Sequence, residues 1–164
     1  MAKPNKYAPL LCTIFMVIAI IGIVLGFVFK QALIPIILLL PTAIYKAYRT
    51  EGKSTKTASI VLLAVLVALM FLVLFDVQIN ITEILGSDQQ YIGGYWVPLG
   101  DLRIVATTVI TIISVILFTR TRGVYTRWLA VIIFVTSFVI IYLIDPAAFA
   151  DLFKYGIDEA LRRF

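Results

Sequence analysis

Five apolar blocks divide this chain, at residues 7–29, 32–48, 58–75, 102–118 and 128–144. Charged residues gather in the segments between them. Each block holds about 17 to 23 residues. At ~1.5 Å rise per residue, a helix of that length crosses a hydrocarbon core of roughly 30 Å. The pattern predicts an all-α membrane protein whose first 145 residues form a five-transmembrane-helix bundle.

The first block has Lys3 and Lys6 before it, like a signal peptide. It is longer than a signal core, and no small-x-small cleavage site follows, so it reads as a retained helix. Only Lys30 and Gln31 separate it from the second block, which predicts a tight helical hairpin. Pro35 and Pro41 interrupt the second block. Each removes a backbone donor and crowds the preceding turn, so a kink is expected there.

Loop charge sets the expected orientation. The N-terminal arm and the second and fourth loops carry Lys3, Lys6, Lys46, Arg49, Lys53, Lys56, Arg120, Arg122 and Arg127, against Glu51 alone. The opposite side carries Lys30, Arg103, Lys154, Arg162 and Arg163. It also carries the acids Asp76, Glu83, Asp88, Asp101, Asp145, Asp151, Asp158 and Glu159. The positive-inside rule counts Lys and Arg, and it puts the N-terminus in the cytoplasm and the C-terminus outside. Four spans would break this segregation. A multi-pass protein of a cell membrane, a prokaryotic inner or plasma membrane, is the expected setting.

Two segments outside the blocks carry pattern of their own. In the outer loop 76–101, Asn80 and Glu83 have the spacing of a capping box, and Gly86 can end the short helix they would start. Gly93-Gly94 between Tyr91-Ile92 and Tyr95-Trp96 suggests a turn in a small hairpin. The tail 146–164 reads as an amphipathic helix lying in the membrane interface. Phe149, Phe153, Ile157, Leu161 and Phe164 share one face, and Pro146 suits its first turn.

Composition agrees with the blocks: 62% of residues are hydrophobic and 14% charged, where soluble domains average about a quarter charged. The net charge of +5 follows from topology and does not point to nucleic acid. Cys12 is the sole cysteine, so no intrachain disulfide forms, and there is no histidine. The usual haem ligand, the commonest zinc ligand and the commonest general base are therefore missing. No cofactor, metal site or catalytic residue is expected, and no phosphate-binding or dinucleotide motif is present.

The candidate functional residues are consequently polar or aromatic groups at special places. Thr107, Thr111 and Ser114 share a face of the fourth span, which suits either helix pairing or a ligand-facing stripe. Gly22 and Gly26 form a GxxxG packing face, against the second span or another chain. Tyr95, Trp96, Phe149, Phe153, Ile157 and Leu161 form candidate docking surfaces for a partner. No ionisable group falls at the centre of a span, which argues against a proton-coupled carrier. Asp101 and Arg103 can pair at a span end, where such exposed pairs contribute little.

The stretch 117–123 (LFTRTRG) with Arg127 resembles part of branched-chain amino-acid ABC permeases, where a span ends in a basic Thr-Arg-rich loop. The resemblance runs over residues 94–130, under a quarter of the chain. The chain is much shorter than such permeases and has no coupling loop for an ATPase, so it is not assigned to that family. The expected role is a non-catalytic accessory or structural subunit of a larger membrane complex, partnered by lipid and by other subunits or its own copies. The alternative is a small transporter or channel component. A lipid-directed enzyme using Asp76, Glu83, Asp88 or Asp101 ranks behind both, because their spacing is unspecific.

Overall fold

The computed structural model describes residues 7–50, 52–77, 101–121, 123–147, 149–150 and 154, and the backbone of 89–92 and 95–98. Among these residues the chain forms five helices and one short hairpin. Helix α1 is Ala8–Phe29, α2 Leu33–Arg49, α3 Lys53–Leu74, α4 Leu102–Arg120 and α5 Val124–Ile144. Strand β1, Gln89–Ile92, pairs antiparallel with β2, Tyr95–Pro98, in the register Gln89 to Pro98 and Ile92 to Tyr95. The two strands stand on either side of Gly93-Gly94, which lie outside the described residues. The capping-box segment at Asn80 and Glu83, and Gly86 after it, lie outside the described residues.

Local chemistry explains where the helices start and stop. Pro9 sits in the first turn of α1, where its missing N–H is not needed. Lys30 then takes a left-handed conformation at φ 52°, and the Gln31 amide returns to the Gly26 carbonyl at 3.2 Å. That six-to-one bond is a Schellman end. It turns the chain through almost no loop into α2. Asp76 closes α3 the same way, at φ 48°, with the Val77 amide on the Leu72 carbonyl at 3.0 Å.

Pro35 lies in the first turn of α2 and removes no intrahelical bond, so it gives no reason for a kink. Pro41 is inside the helix, which continues through it. Its ring lacks the donor that the Ile37 carbonyl would otherwise take. The next residue ties α2 to α1: Thr42 Oγ1 donates to the Phe15 carbonyl at 3.2 Å.

Helix α3 begins at Lys53, before the apolar block. Thr57 and Ser59 fold their hydroxyls onto the carbonyls of Lys53 and Thr55, at 2.7 and 3.0 Å. Helix α4 likewise extends to Arg120, and α5 starts at Val124. Apolarity marks what enters hydrocarbon, whereas helical hydrogen bonding continues into the polar flank.

The helices pack in a ring, each against the next, with α5 closing onto α1 and also touching α2. Sequence neighbours run antiparallel. One end of the bundle holds the starts of α1, α3 and α5, and contains Lys46; the other holds their finishes, and contains Arg103. Leu62, Leu66 and Leu69 of α3 form a buried stripe at i, i+4 and i+7. It meets Ile110 and Leu117 of α4, Ile133 and Ile140 of α5, and Ile36 and Leu39 of α2.

The outside is apolar as well. Val17, Ile21, Val24 and Val28 on α1, and Ile112, Val115 and Ile116 on α4, are exposed. An apolar interior under an apolar exterior suits lipid and not water. Helices α1, α3, α4 and α5 are each long and apolar enough to cross a membrane. Helix α2, with 17 residues, is shorter.

Candidate functional site

Among the described residues each end of the bundle holds one buried cation, and the two are built differently. Arg103 lies in the first turn of α4, whose N-cap is Asp101. The Asp101 carboxylate accepts the Arg103 amide at 3.0 Å. The Schellman turn after α3 brings in Asp76, which takes Arg103 Nη2 at 2.9 Å. Arg103 Nε faces the Val77 carbonyl at 3.3 Å and Asp101 Oδ2 at 3.4 Å. The Arg103 side chain is only 10% exposed. This corrects the sequence expectation of a solvated pair with Asp101. The guanidinium links α4 to the end of α3 and is largely withdrawn from solvent.

Beside Arg103 lies a cleft of about 360 Å³ between the starts of α2 and α4 and the ends of α3 and α5. Asp76, Asp101, Arg103 and Asp145 supply its polar lining, and Ile104 and Leu143 are among its apolar residues. Among the described residues, no three of His, Cys, Asp or Glu gather around a possible metal position. Glu83 and Asp88 lie outside the described residues.

Lys46 lies in the last turn of α2 and is 1% exposed. The sequence reading counted its charge with the loop after the second block, although that block runs to residue 48. Its Nζ donates to the Thr126 carbonyl of α5 at 3.4 Å, a long bond. No described carboxylate pairs with it. Around it stand more cations on neutral acceptors. Arg49 Nη1 donates to the Tyr45 hydroxyl at 2.9 Å, while Arg49 Nε is buried without an acceptor. Arg127 Nε donates to the Thr121 carbonyl at 2.6 Å, and Arg120 Nη1 to Ser54 Oγ at 3.0 Å. A basic residue inside the last turn of a predicted span was the available signal for Lys46.

The hydroxyl face lies between these ends, at the seam of α4 with α5. Thr107 and Ser114 are fully buried. Thr107, Thr111 and Ser114 bond back to the carbonyls of Arg103, Thr107 and Thr111, at 2.7, 3.0 and 2.6 Å. Thr111 Oγ1 also meets Ser137 Oγ of α5 at 2.8 Å. The stripe therefore joins two helices. An apolar groove of about 290 Å³ runs beside it, between Val115 and Phe118 of α4 and Val131 and Phe134 of α5.

Gly22 and Gly26 face the chain's own helices. A Cβ on Gly22 would stand 2.9 Å from Leu38 Cβ. On Gly26 it would stand 2.9 Å from Pro35 Cδ and 3.2 Å from Leu143 Cδ1. Of the two uses open to the GxxxG, close approach of α1 to α2 is the one realised here.

The docking candidates are only partly described. Tyr95 and Trp96 fall in β2, of which the backbone is described. Phe149 turns back onto α5, its ring centroid 5.6 Å from that of Tyr142 and 6.3 Å from that of Phe138, both edge-on. Phe153, Ile157 and Leu161 lie outside the described residues. Compared with protein-family models, curated proteins and solved structures, the chain matches none. The permease resemblance of residues 117–123 thus gains no support from a wider match.

Proposed function

We propose that the chain crosses a cell membrane five times, with its N-terminus in the cytoplasm, and serves as a non-catalytic subunit of a larger membrane complex. The fifth crossing is α2. Pro35, near its start, packs on Gly26 beside Leu143, and Lys46, near its end, reaches Thr126. With 17 residues, α2 rises roughly 25 Å. Helix α2 therefore covers most of the depth its longer neighbours cover. The Lys46 end carries the basic excess, which supports placing it in the cytoplasm.

The observation that carries the subunit reading is the state of the buried hydroxyls. Thr107, Ser114 and Thr136 each donate to a carbonyl of their own helix; of Thr111 and Ser137, which meet at 2.8 Å, one donates to a carbonyl of its own helix and the other across the seam to its partner's hydroxyl. Closely packed aliphatic side chains surround them. Between its two ends the described interior is thus a satisfied, packed scaffold, with no polar lane running through it. The tail, read as an interfacial amphipathic helix, and the apolar outer loop are then the surfaces offered to partners. Extraction into native-membrane nanodiscs tests this reading. The expected particle contains further protein subunits or copies of this chain in fixed ratio, and a lone monomer overturns it.

A further inference from the structure

Helices α1 and α2 leave an apolar groove on the outside of the bundle. Its volume is about 560 Å³, and Phe15 of α1 and Ile37, Ile44, Tyr45 and Tyr48 of α2 are among its lining residues. Ile37 is 47% exposed, Ile44 51% and Tyr48 79%. The groove therefore opens on the side where a membrane helix meets lipid. Its wall is held twice. Thr42 Oγ1 donates to the Phe15 carbonyl at 3.2 Å, and the Phe15 and Tyr45 ring centroids are 4.9 Å apart. From Ile37 to Tyr48 the groove follows α2 for roughly 16 Å of helix rise. That is about the depth of one leaflet in a hydrocarbon core of ~30 Å.

At its polar end the groove meets a cation matched only with a neutral group. The Tyr45 hydroxyl takes Arg49 Nη1 at 2.9 Å. Arg49 Nε is buried with no acceptor, and among the described residues no carboxylate pairs with this arginine. Lys46 and Arg127, at the same end of the bundle, likewise rest on the carbonyls of Thr126 and Thr121. Arg49 as a whole is only half-buried, which leaves it approachable. We propose that the groove holds an anionic phospholipid of the inner leaflet. One acyl chain lies along Ile37 and Ile44 against Phe15, and the phosphate takes the Arg49 guanidinium, whose planar fork suits it. A lipid of net negative charge is favoured over a zwitterionic one, because the cations of this end repel a headgroup ammonium. Tyr48 then stands at headgroup level, where tyrosines gather. The proposal rests on α2 lying in the bilayer, as in the five-span reading, and not on the subunit reading.

The full chain is placed in nanodiscs of equal phosphatidylglycerol and phosphatidylcholine with identical acyl chains, and retained lipid is read by native mass spectrometry. Phosphatidylglycerol is expected to be retained in preference. Arg49→Gln should lower its retention at least about fivefold, what one basic residue contributes near a membrane surface. Ile44→Trp, which fills the groove and touches no charge, should lower it as well. Arg120→Gln removes a cation of the same end that bonds to Ser54, away from the groove, and should leave it unchanged. Melting midpoints show that the variants fold. Ile44 is half exposed, so Ile44→Trp decides were Arg49→Gln to fail. Equal retention of the two lipids overturns the proposal, as does a preference that Arg120→Gln lowers as much as Arg49→Gln. Displacement by free glycerol phosphate, a headgroup without chains, overturns it too, and so does a protein segment cross-linked into the groove in native membranes. Ile37→Cys in a Cys12→Ala chain is exposed to a water-soluble maleimide in the same nanodiscs. Labelling there overturns the five-span reading together with the proposal. Without labelling, equal retention overturns the proposal alone.

Discussion

Lys46 and Arg103 are both cations withdrawn from solvent at opposite ends of one bundle, yet among the described residues only Arg103 has carboxylate partners. Arg103 has Asp76 at 2.9 Å and Asp101 at 3.4 Å. Lys46 has a single backbone carbonyl at 3.4 Å. Helix α4 starts at the Arg103 end under a carboxylate cap and α2 starts there without one, whereas α3 and α5 start at the Lys46 end with no side-chain cap. Uncapped starts add positive partial charge to an end already rich in cations. In the five-span reading, the neutralised cation is the one carried across the bilayer, and the uncompensated charge stays in the cytoplasm. The comparison teaches that the charge rule written in the loops extends into the packed ends of the helices.

The sharpest way to break this comparison is to remove each cation in turn. Arg103→Met leaves Asp101, 25% exposed, without its partner and cuts the tie from α4 to the end of α3. Breaking a buried pair from one side costs about 3–5 kcal/mol. Asp76 is 77% exposed and stays hydrated, so a loss near the bottom of that range, about 3 kcal/mol, is expected. Lys46→Met removes a charge that no described carboxylate offsets and keeps the apolar stem. It should be neutral or stabilise by about 1 kcal/mol. Reversible unfolding in detergent measures both, and equal losses for the two variants would erase the distinction.

A smaller effect sharpens the packing side of the Arg103 end. Gly26→Ala places a methyl 2.9 Å from the rigid Pro35 ring and 3.2 Å from Leu143. Overpacking of this kind costs about 1–3 kcal/mol. The expected loss is about 2 kcal/mol. Gly22→Ala meets Leu38 Cβ at 2.9 Å and should cost less, because a leucine can shift where a proline ring cannot. Unfolding of the two variants side by side checks the order. If Gly22→Ala costs more, the α1–α2 approach is governed from the middle of α1 and not from its end.

The apolar blocks made the helices legible, because hydropathy over such lengths reports directly on what lipid can surround. The pairing of β1 with β2 was legible for a different reason: a Gly-Gly pair between strand-forming neighbours favours a hairpin. The buried cations were not. Lys46 and Arg103 each stand within the terminal turns of a helix, where linear sequence cannot distinguish a side chain reaching out to water from one reaching in. That choice depends on Asp76, Thr126 and Val77, which come from other elements.

The hydroxyl seam stands between the two ends, and it gives the smallest expected effect. Thr111 Oγ1 faces Ser137 Oγ at 2.8 Å while also bonding to the Thr107 carbonyl at 3.0 Å. Thr111→Val keeps the shape and removes the hydroxyl. Ser137 keeps its bond to the Phe134 carbonyl at 2.7 Å, so it loses one partner and not all. Interhelical hydrogen bonds in membranes average about 0.6 kcal/mol, and a loss of that order is expected. The same variant tests the transporter alternative. If the stripe only joins α4 to α5, liposomes holding either protein should show equal solute flux across a broad panel. A flux that Thr111→Val changes, with stability lowered by no more than this small amount, would make the seam a conduit and the two ends its mouths. The charge difference between Lys46 and Arg103 would then bias the direction of passage as well as the topology.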